Sequence, residues 1–208
     1  MQLTEKYRPQ DFGAFVGQDK AVARIRAILG LAHFDRGTFL FVGPSGSGKT
    51  SMAHVVARHL RCDPIMATME TKGADCNIDE IRRLSEWFQY GAPNGGYKIA
   101  IVNECHNMSA AAQSYALEWT ENPQAERVIV LTTTEAETWA DETLASRFYT
   151  IRFAKPNADA IVAHVRTVCE RESFPVPANL KRFVQDRHNN IRLILNDLEI
   201  EAAITLAA

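Results

Sequence analysis

Gly43-Pro44-Ser45-Gly46-Ser47-Gly48-Lys49-Thr50 is an uninterrupted match to the phosphate-binding pattern G-x-x-x-x-G-K-[ST]. Glycines at 43, 46 and 48 let the chain turn tightly enough for successive N–H groups to converge on phosphate oxygens, at the start of a helix whose dipole favours negative charge. Lys49 is then placed to reach the β- and γ-phosphates, and the Thr50 hydroxyl to ligate Mg²⁺. The loop residues and the adjoining Ser51 are thus the expected contact for a nucleoside triphosphate. Its surroundings agree. Thr38–Val42 (TFLFV) is a short apolar run that predicts a buried strand, and Ser51–Leu60 has helical character.

Working outward, Met1–Gln18 is expected to be an irregular arm carrying Phe12, Phe15 and Val16, and Asp19–Phe34 an amphipathic helix capped by Asp19, with Val22, Ile25, Ile28 and Leu29 on one face. Pro64–Met69 is a second apolar run, Asn77–Tyr90 a helix with Ile78, Ile81, Leu84 and Trp87 in a stripe, and Pro93-Asn94-Gly95-Gly96 a turn. Tyr97–Val102, Val128–Thr132 and Phe148–Phe153 read as further strands, with a helix over Ser109–Thr120. Strands alternating with helices imply a parallel five-stranded α/β sheet covered on both faces. From Lys155 onward no further strand is expected, only helices near Asn157–Glu172, Ala178–Arg187 and Ile191–Leu206. The expected organisation is an α/β domain over residues 1–154 and a three-helix lid over residues 155–208.

The 208 residues are 46% hydrophobic, which suits a globular chain. With 23 basic against 25 acidic residues, a net charge of −2 gives no global field for nucleic acid and leaves a local patch open. Cys62, Cys76, Cys105 and Cys169 show no C-x-x-C spacing, and two of them lie within or beside apolar runs and read as reduced, buried thiols, which fits a cytoplasmic setting. No signal-like N-terminus and no apolar run of 18 residues is present, so no membrane partner is expected.

The strand at 97–102 continues into Asn103-Glu104, two polar residues at its carboxyl end, where ligands bind in open α/β sheets. Phosphate-loop ATPases usually place an Asp and then a Glu here, for metal and water respectively. Asn103 can bond a metal-bound water but brings no charge to a dication, so metal affinity and turnover are expected to fall; Glu104 is the candidate base.

These stretches together resemble the AAA+ ATPase subunits of DNA polymerase clamp loaders, both the bacterial gamma/tau type and the small subunits of replication factor C, from Glu5 to about Ile204. Glu5-Lys6-Tyr7-Arg8-Pro9 with Phe15-Val16-Gly17-Gln18 is similar to a signature that in this family lies against adenine and ribose. That implies base contacts from Tyr7, Arg8, Pro9, Val16 and Gly17. Asn103-Glu104-Cys105-His106 corresponds to the family's D-E-x-H. Leu131-Thr132-Thr133-Thr134 resembles the sensor-1 segment, which makes Thr134 the residue watching the γ-phosphate. Leu144-Ala145-Ser146-Arg147-Phe148 resembles a motif whose arginine, here Arg147, enters a neighbouring subunit's site. Asn190-Ile191-Arg192-Leu193 with Leu195-Asn196-Asp197-Leu198 resembles sensor 2, with Arg192 reaching the γ-phosphate in cis. On the helix after Asn77, Arg82 and Arg83 are the DNA-contact candidates.

The resemblance implies ATP and Mg²⁺ as cofactors, and a sliding clamp, primed DNA and other AAA+ subunits as partners. It departs from the family in lacking the four-cysteine zinc module and a helical collar after the lid, so a fragment or a compact relative is expected. The leading expectation is an ATP-hydrolysing clamp-loader-like motor. The alternative is a nucleotide-binding, weakly hydrolytic structural subunit; a protein remodeller is a third reading, against which stands the lack of an evident pore loop.

Overall fold

The computed structural model describes residues 1–93, 95–121, 125–134 and 147–207. Strands β1 (Gly37–Val42), β2 (Thr68–Lys72), β3 (Lys98–Asn103), β4 (Arg127–Thr133) and β5 (Tyr149–Arg152) form one sheet in the order β2-β3-β4-β1-β5. Every pairing is parallel. The three inner strands are nearly continuous apolar runs because both of their faces are covered.

Side chains alternate across this sheet and split the core in two. Phe39, Phe41, Ile99, Ile101, Val128 and Val130 pack under Ile25 of α2 (Asp19–Leu29) and Met52 and Val56 of α3 (Lys49–His59). Leu40, Ala100, Val102 and Leu131 face the other way, against Ile81, Leu84 and Phe88 of α4 (Ile78–Gln89) and Ala112 of α5 (Ala110–Glu121). Full burial of Ile81 and Leu84 stabilises by about 1.5–3 kcal/mol each.

A third cluster joins α6 (Ala158–Glu172), α7 (Leu180–Asp186) and α8 (Ile191–Ala207) through Ile161, Val165, Phe183, Ile194 and Leu198, and it includes Leu3 from the far end of the chain. Asn157 caps α6 by accepting from the Ala160 N–H at 2.7 Å.

Four local expectations change. The arm is not wholly irregular: Leu3–Lys6 forms a short helix, α1, because its apolar residue has the α6–α8 core to enter. Gln18, not Asp19, is the N-cap of α2, and Asp19 sits in its first turn, where a carboxylate still suits the dipole. That helix ends at Gly30 rather than Phe34. The second strand begins at Thr68, beyond most of Pro64–Met69; Ile65 is 88% exposed, so its apolar character does not report burial. The real strand, Thr-Met-Glu-Thr-Lys, pairs only with β3 and needs little apolar surface on its outer side. Asn94, within the turn expected over Pro93–Gly96, lies outside the described residues. All four cysteines are free and buried.

Candidate nucleotide site

The carboxyl ends of β1, β3 and β4 meet at one place because these strands are neighbours in the sheet. From β1 the chain enters the glycine loop and then α3, whose first residue is Lys49. Lys49 is 5% exposed and donates to the carbonyls of Gly43 at 2.8 Å and Pro44 at 3.1 Å. Burial holds its ammonium below the ordinary lysine range; Glu104 opposes this shift and Arg192 adds to it, so both charges act on the same side chain.

Thr50 donates its hydroxyl proton to Asn103 Oδ1 at 2.7 Å. Thr132, fully buried on β4, donates to the same oxygen at 3.3 Å and accepts from the Glu104 N–H at 3.2 Å. One hydroxyl therefore positions both polar residues at the end of β3. Glu104 stands in the left-handed region, at φ 52° and ψ 52°, and accepts from the Thr134 hydroxyl at 3.4 Å. His106 Nδ1 lies 3.0 Å from Thr133 Oγ1 and 3.6 Å from Glu104 Oε2. The three consecutive threonines at the end of β4 thus all meet the residues that follow β3.

Beside the loop opens a cleft of about 610 Å³ between the N-terminal arm, the loop and α8. Tyr7, Arg8, Pro9 and Val16 line it from the arm, Gly46, Ser47 and Gly48 from the loop, Ser51 from α3 and Arg192 from α8. Gly17 is not in its wall. It takes φ +64° and lies so near Pro156 that a Cβ would come within 2.8 Å of the ring, so its smallness serves the approach of the arm to the helical segment. Gly46, at φ +75°, likewise leaves room for the Asn190 amide, which caps α8 by accepting from the Arg192 N–H at 3.1 Å. The Tyr7 hydroxyl donates to Glu172 at 2.5 Å and Lys6 donates to it at 2.8 Å. Burial, and then Glu172, push the Tyr7 phenol up to about 12.

Three residues absent from the sequence-derived site stand inside this arrangement. Thr132 is one. Gln18, 4% exposed, donates to Ser47 O at 3.2 Å and Ala154 O at 2.7 Å, tying the arm to the loop and to the end of the sheet. Glu70, on β2, accepts from Asn103 Nδ2 at 2.5 Å and lies 3.1 Å from His54 Nε2 of α3. The hydrogen bond from His54 holds the Glu70 carboxyl below the usual carboxylate range. Gln18 and Thr132 adjoin expected site residues in the sequence, whereas Glu70 is brought in only by the β2–β3 register.

Other candidates lie apart. Arg147 is exposed ahead of β5, and Leu144, Ala145 and Ser146 lie outside the described residues. Phe148 beside it is buried. On α4, Arg82 stands 3.5 Å from Asp79, and Arg83 donates to both oxygens of Glu80 at 2.8 and 2.6 Å, so each has a carboxylate partner three residues earlier. Asn77 caps this helix by accepting from the N–H groups of Asp79 and Glu80, both at 3.0 Å.

The oxygens of Thr50 and Asn103, with the Glu70 carboxylate behind the amide, suit Mg²⁺, which binds protein through a few oxygens and otherwise through phosphates and water. Among the described residues no group of three or more His, Cys, Asp or Glu is arranged to hold a metal ion.

Comparison with known proteins gives related results. A family model described as DNA polymerase III, delta subunit, matches residues 64–157. Replication factor C small subunit 2 of Pyrobaculum aerophilum is 30% identical over 98% of this chain and 64% of its own length. DNA polymerase III subunit gamma/tau of Mycobacterium bovis is 27% identical over 85% of this chain and 34% of that protein. The chain therefore spans under two thirds of the length of these relatives. Among solved structures, the Holliday junction branch migration motor RuvB of Thermotoga maritima superposes with a TM-score of 0.76 at 17% identity, over 93% of this chain and 64% of that one, a likeness of fold.

Proposed function

Because the chain is a relative of clamp-loader ATPase subunits and has the AAA+ fold, a five-stranded parallel sheet with a phosphate loop, we propose that it binds ATP with Mg²⁺ and hydrolyses it as one subunit of a clamp-loading assembly. The convergence of Lys49, Thr50, Asn103, Glu104 and Thr134 at the carboxyl ends of three neighbouring strands carries this reading.

In it, residues 1–154 form the nucleotide domain and residues 155–208 the lid. Loop N–H groups and Lys49 hold the phosphates, and the arm and α8 enclose the base in the cleft. Glu104 takes the proton of the attacking water, with Thr134 orienting both. Thr50 and Asn103 would hold Mg²⁺ on the protein side, and the ion would supply positive charge to the phosphates. Arg192 reports the γ-phosphate to the lid and Arg147 serves a neighbouring subunit. Arg82 and Arg83 remain the DNA candidates, and contact with a phosphate backbone would exchange their present intrahelical partners for phosphate oxygens. The assembly would act on a sliding clamp at primed DNA in the cytoplasm; among the described residues no helix is long and apolar enough to cross a membrane.

Lys49→Ala is expected to abolish nucleotide binding, while Glu104→Gln keeps binding and stops turnover; ATPase activity in Glu104→Gln would remove Glu104 as the base. A second reading is favoured by Asn103 itself: an amide in the acidic position makes a weakly hydrolytic, ATP-clasping subunit. A large rise in steady-state ATPase in Asn103→Asp, measured with DNA, would support it, and an unchanged rate would count against it.

A further inference from the structure

We propose that Glu70, on the edge strand β2, supplies the negative charge of the Mg²⁺ position that residue 103 lacks, acting through the Asn103 amide. This rests on the ATP-site reading above and deepens it.

Asn103 Oδ1 accepts from Thr50 at 2.7 Å and from Thr132 at 3.3 Å, while its Nδ2 donates to Glu70 Oε1 at 2.5 Å. An amide could take either orientation among hydroxyls, since these both donate and accept. Glu70 removes the choice. The reverse orientation would set the amide oxygen against a carboxylate, so Oδ1 is held toward Thr50. With its proton engaged by Oδ1, the Thr50 hydroxyl turns its lone pairs away from Asn103, toward whatever the loop holds. The carboxylate thus fixes the amide by one hydrogen bond and stands a single side chain from Thr50.

Glu70 is itself fixed. Its second oxygen lies 3.1 Å from His54 Nε2 on α3, the helix that begins with Lys49 and Thr50. Arg8 also acts on its charge. In the β2–β3 register Glu70 pairs with Ile101, two residues before Asn103 and on the same face of the sheet. Its side chain is 40% exposed, so its field is partly screened and its effect on the metal is that of an outer carboxylate rather than a ligand. Outer partners of this kind typically change metal affinity by about 10–100-fold.

Glu70 is therefore a positioning residue, and its signature is a magnesium dependence rather than a general loss of binding. The experiment measures ADP affinity of the full chain by equilibrium titration, in magnesium chloride and in EDTA, for wild type, Glu70→Gln, Asn103→Asp and the double variant. In Glu70→Gln, affinity in magnesium is expected to fall about 10-fold with no change in EDTA. Asn103→Asp is expected to recover most of this loss in the Glu70→Gln background. In the Glu70 background the same change should bring little gain, because it sets two carboxylates against each other at hydrogen-bonding distance. Melting temperatures of all four proteins check folding, and Glu70→Ala should give the same split between magnesium and EDTA. Equal losses in magnesium and EDTA, no loss at all, or the same effect of Asn103→Asp in both backgrounds would each overturn the proposal. Lys49→Ala separates it from the underlying reading: wild-type ADP affinity in that variant overturns the nucleotide site itself. Binding that depends on Lys49 but not on Glu70 overturns the Glu70 proposal alone.

Discussion

Gly73→Ala isolates the backbone packing that holds the candidate base. Gly73 begins a 3-10 turn directly after β2, and a Cβ built there would lie 2.9 Å from the carbonyl carbon of Glu104, nearer still to its oxygen, and 3.2 Å from Cys105 Cα. All three neighbours are backbone, so no side chain can swing aside. Carbon atoms normally rest about 3.5–4.0 Å apart, so relief requires a backbone shift on the order of 1 Å. Overpacking of this kind typically costs about 1–3 kcal/mol. For a chain of this length 1 kcal/mol lowers the Tm by about 2–4 °C, so the central expectation is a fall of about 4–8 °C. The shift falls on a residue already in the left-handed region, whose carboxylate meets Thr134 at 3.4 Å. A misplacement of about 1 Å at a reacting group can cost about 10²-fold in rate, so ATPase turnover should drop on that scale with ADP binding retained. Gly91→Ala is the matched control, because nothing lies within 4 Å of a Cβ there. Thermal melts and steady-state ATPase of the two variants decide it; a Gly73→Ala protein indistinguishable from Gly91→Ala refutes the reasoning.

Asn77→Ala removes the side chain that accepts from two N–H groups at the start of α4 and should cost about 1 kcal/mol, read as a lower denaturant midpoint at unchanged m-value. Glu172 is held below the usual carboxylate range by Lys6 and then by Tyr7. A depressed folded-state value means stability that is complete above the ordinary glutamate range and lost as pH falls through the folded value. Glu172→Gln should accordingly lose less stability than wild type between neutral and acid pH, and parallel acid-unfolding curves would show that the contact contributes nothing.

Much of this fold is written locally. The glycine loop and the apolar runs of the inner strands show in the sequence, although each strand pairs with partners distant in the chain, and the helices expected from Asn77 and Asn157 begin at those two caps. The edge strand is harder to read, because Thr68–Lys72 alternates polar and half-buried residues while the exposed Pro64–Met66 before it looks more strand-like. Phe12 and Phe15 are both buried in the core, and only Phe15 also reaches the cleft, a division their shared aromatic character cannot reveal. Glu70 eludes a reading by spacing for another reason. It meets Asn103 across 33 residues through strand register, and its neighbours in sequence give no hint of that contact.

The contact between Leu3 and α8 sets an order of events during synthesis. Leu3 is 3% exposed in the core of α6–α8, and its N–H donates to Glu199, 196 residues later. At about 5–20 residues per second the arm waits on the order of 10–40 s for that partner to be made. The sheet, whose contacts lie wholly between, can pair first. The helical core is thus completed after the sheet, when α8 meets the arm, and the cleft between arm, loop and α8 acquires its walls at that step.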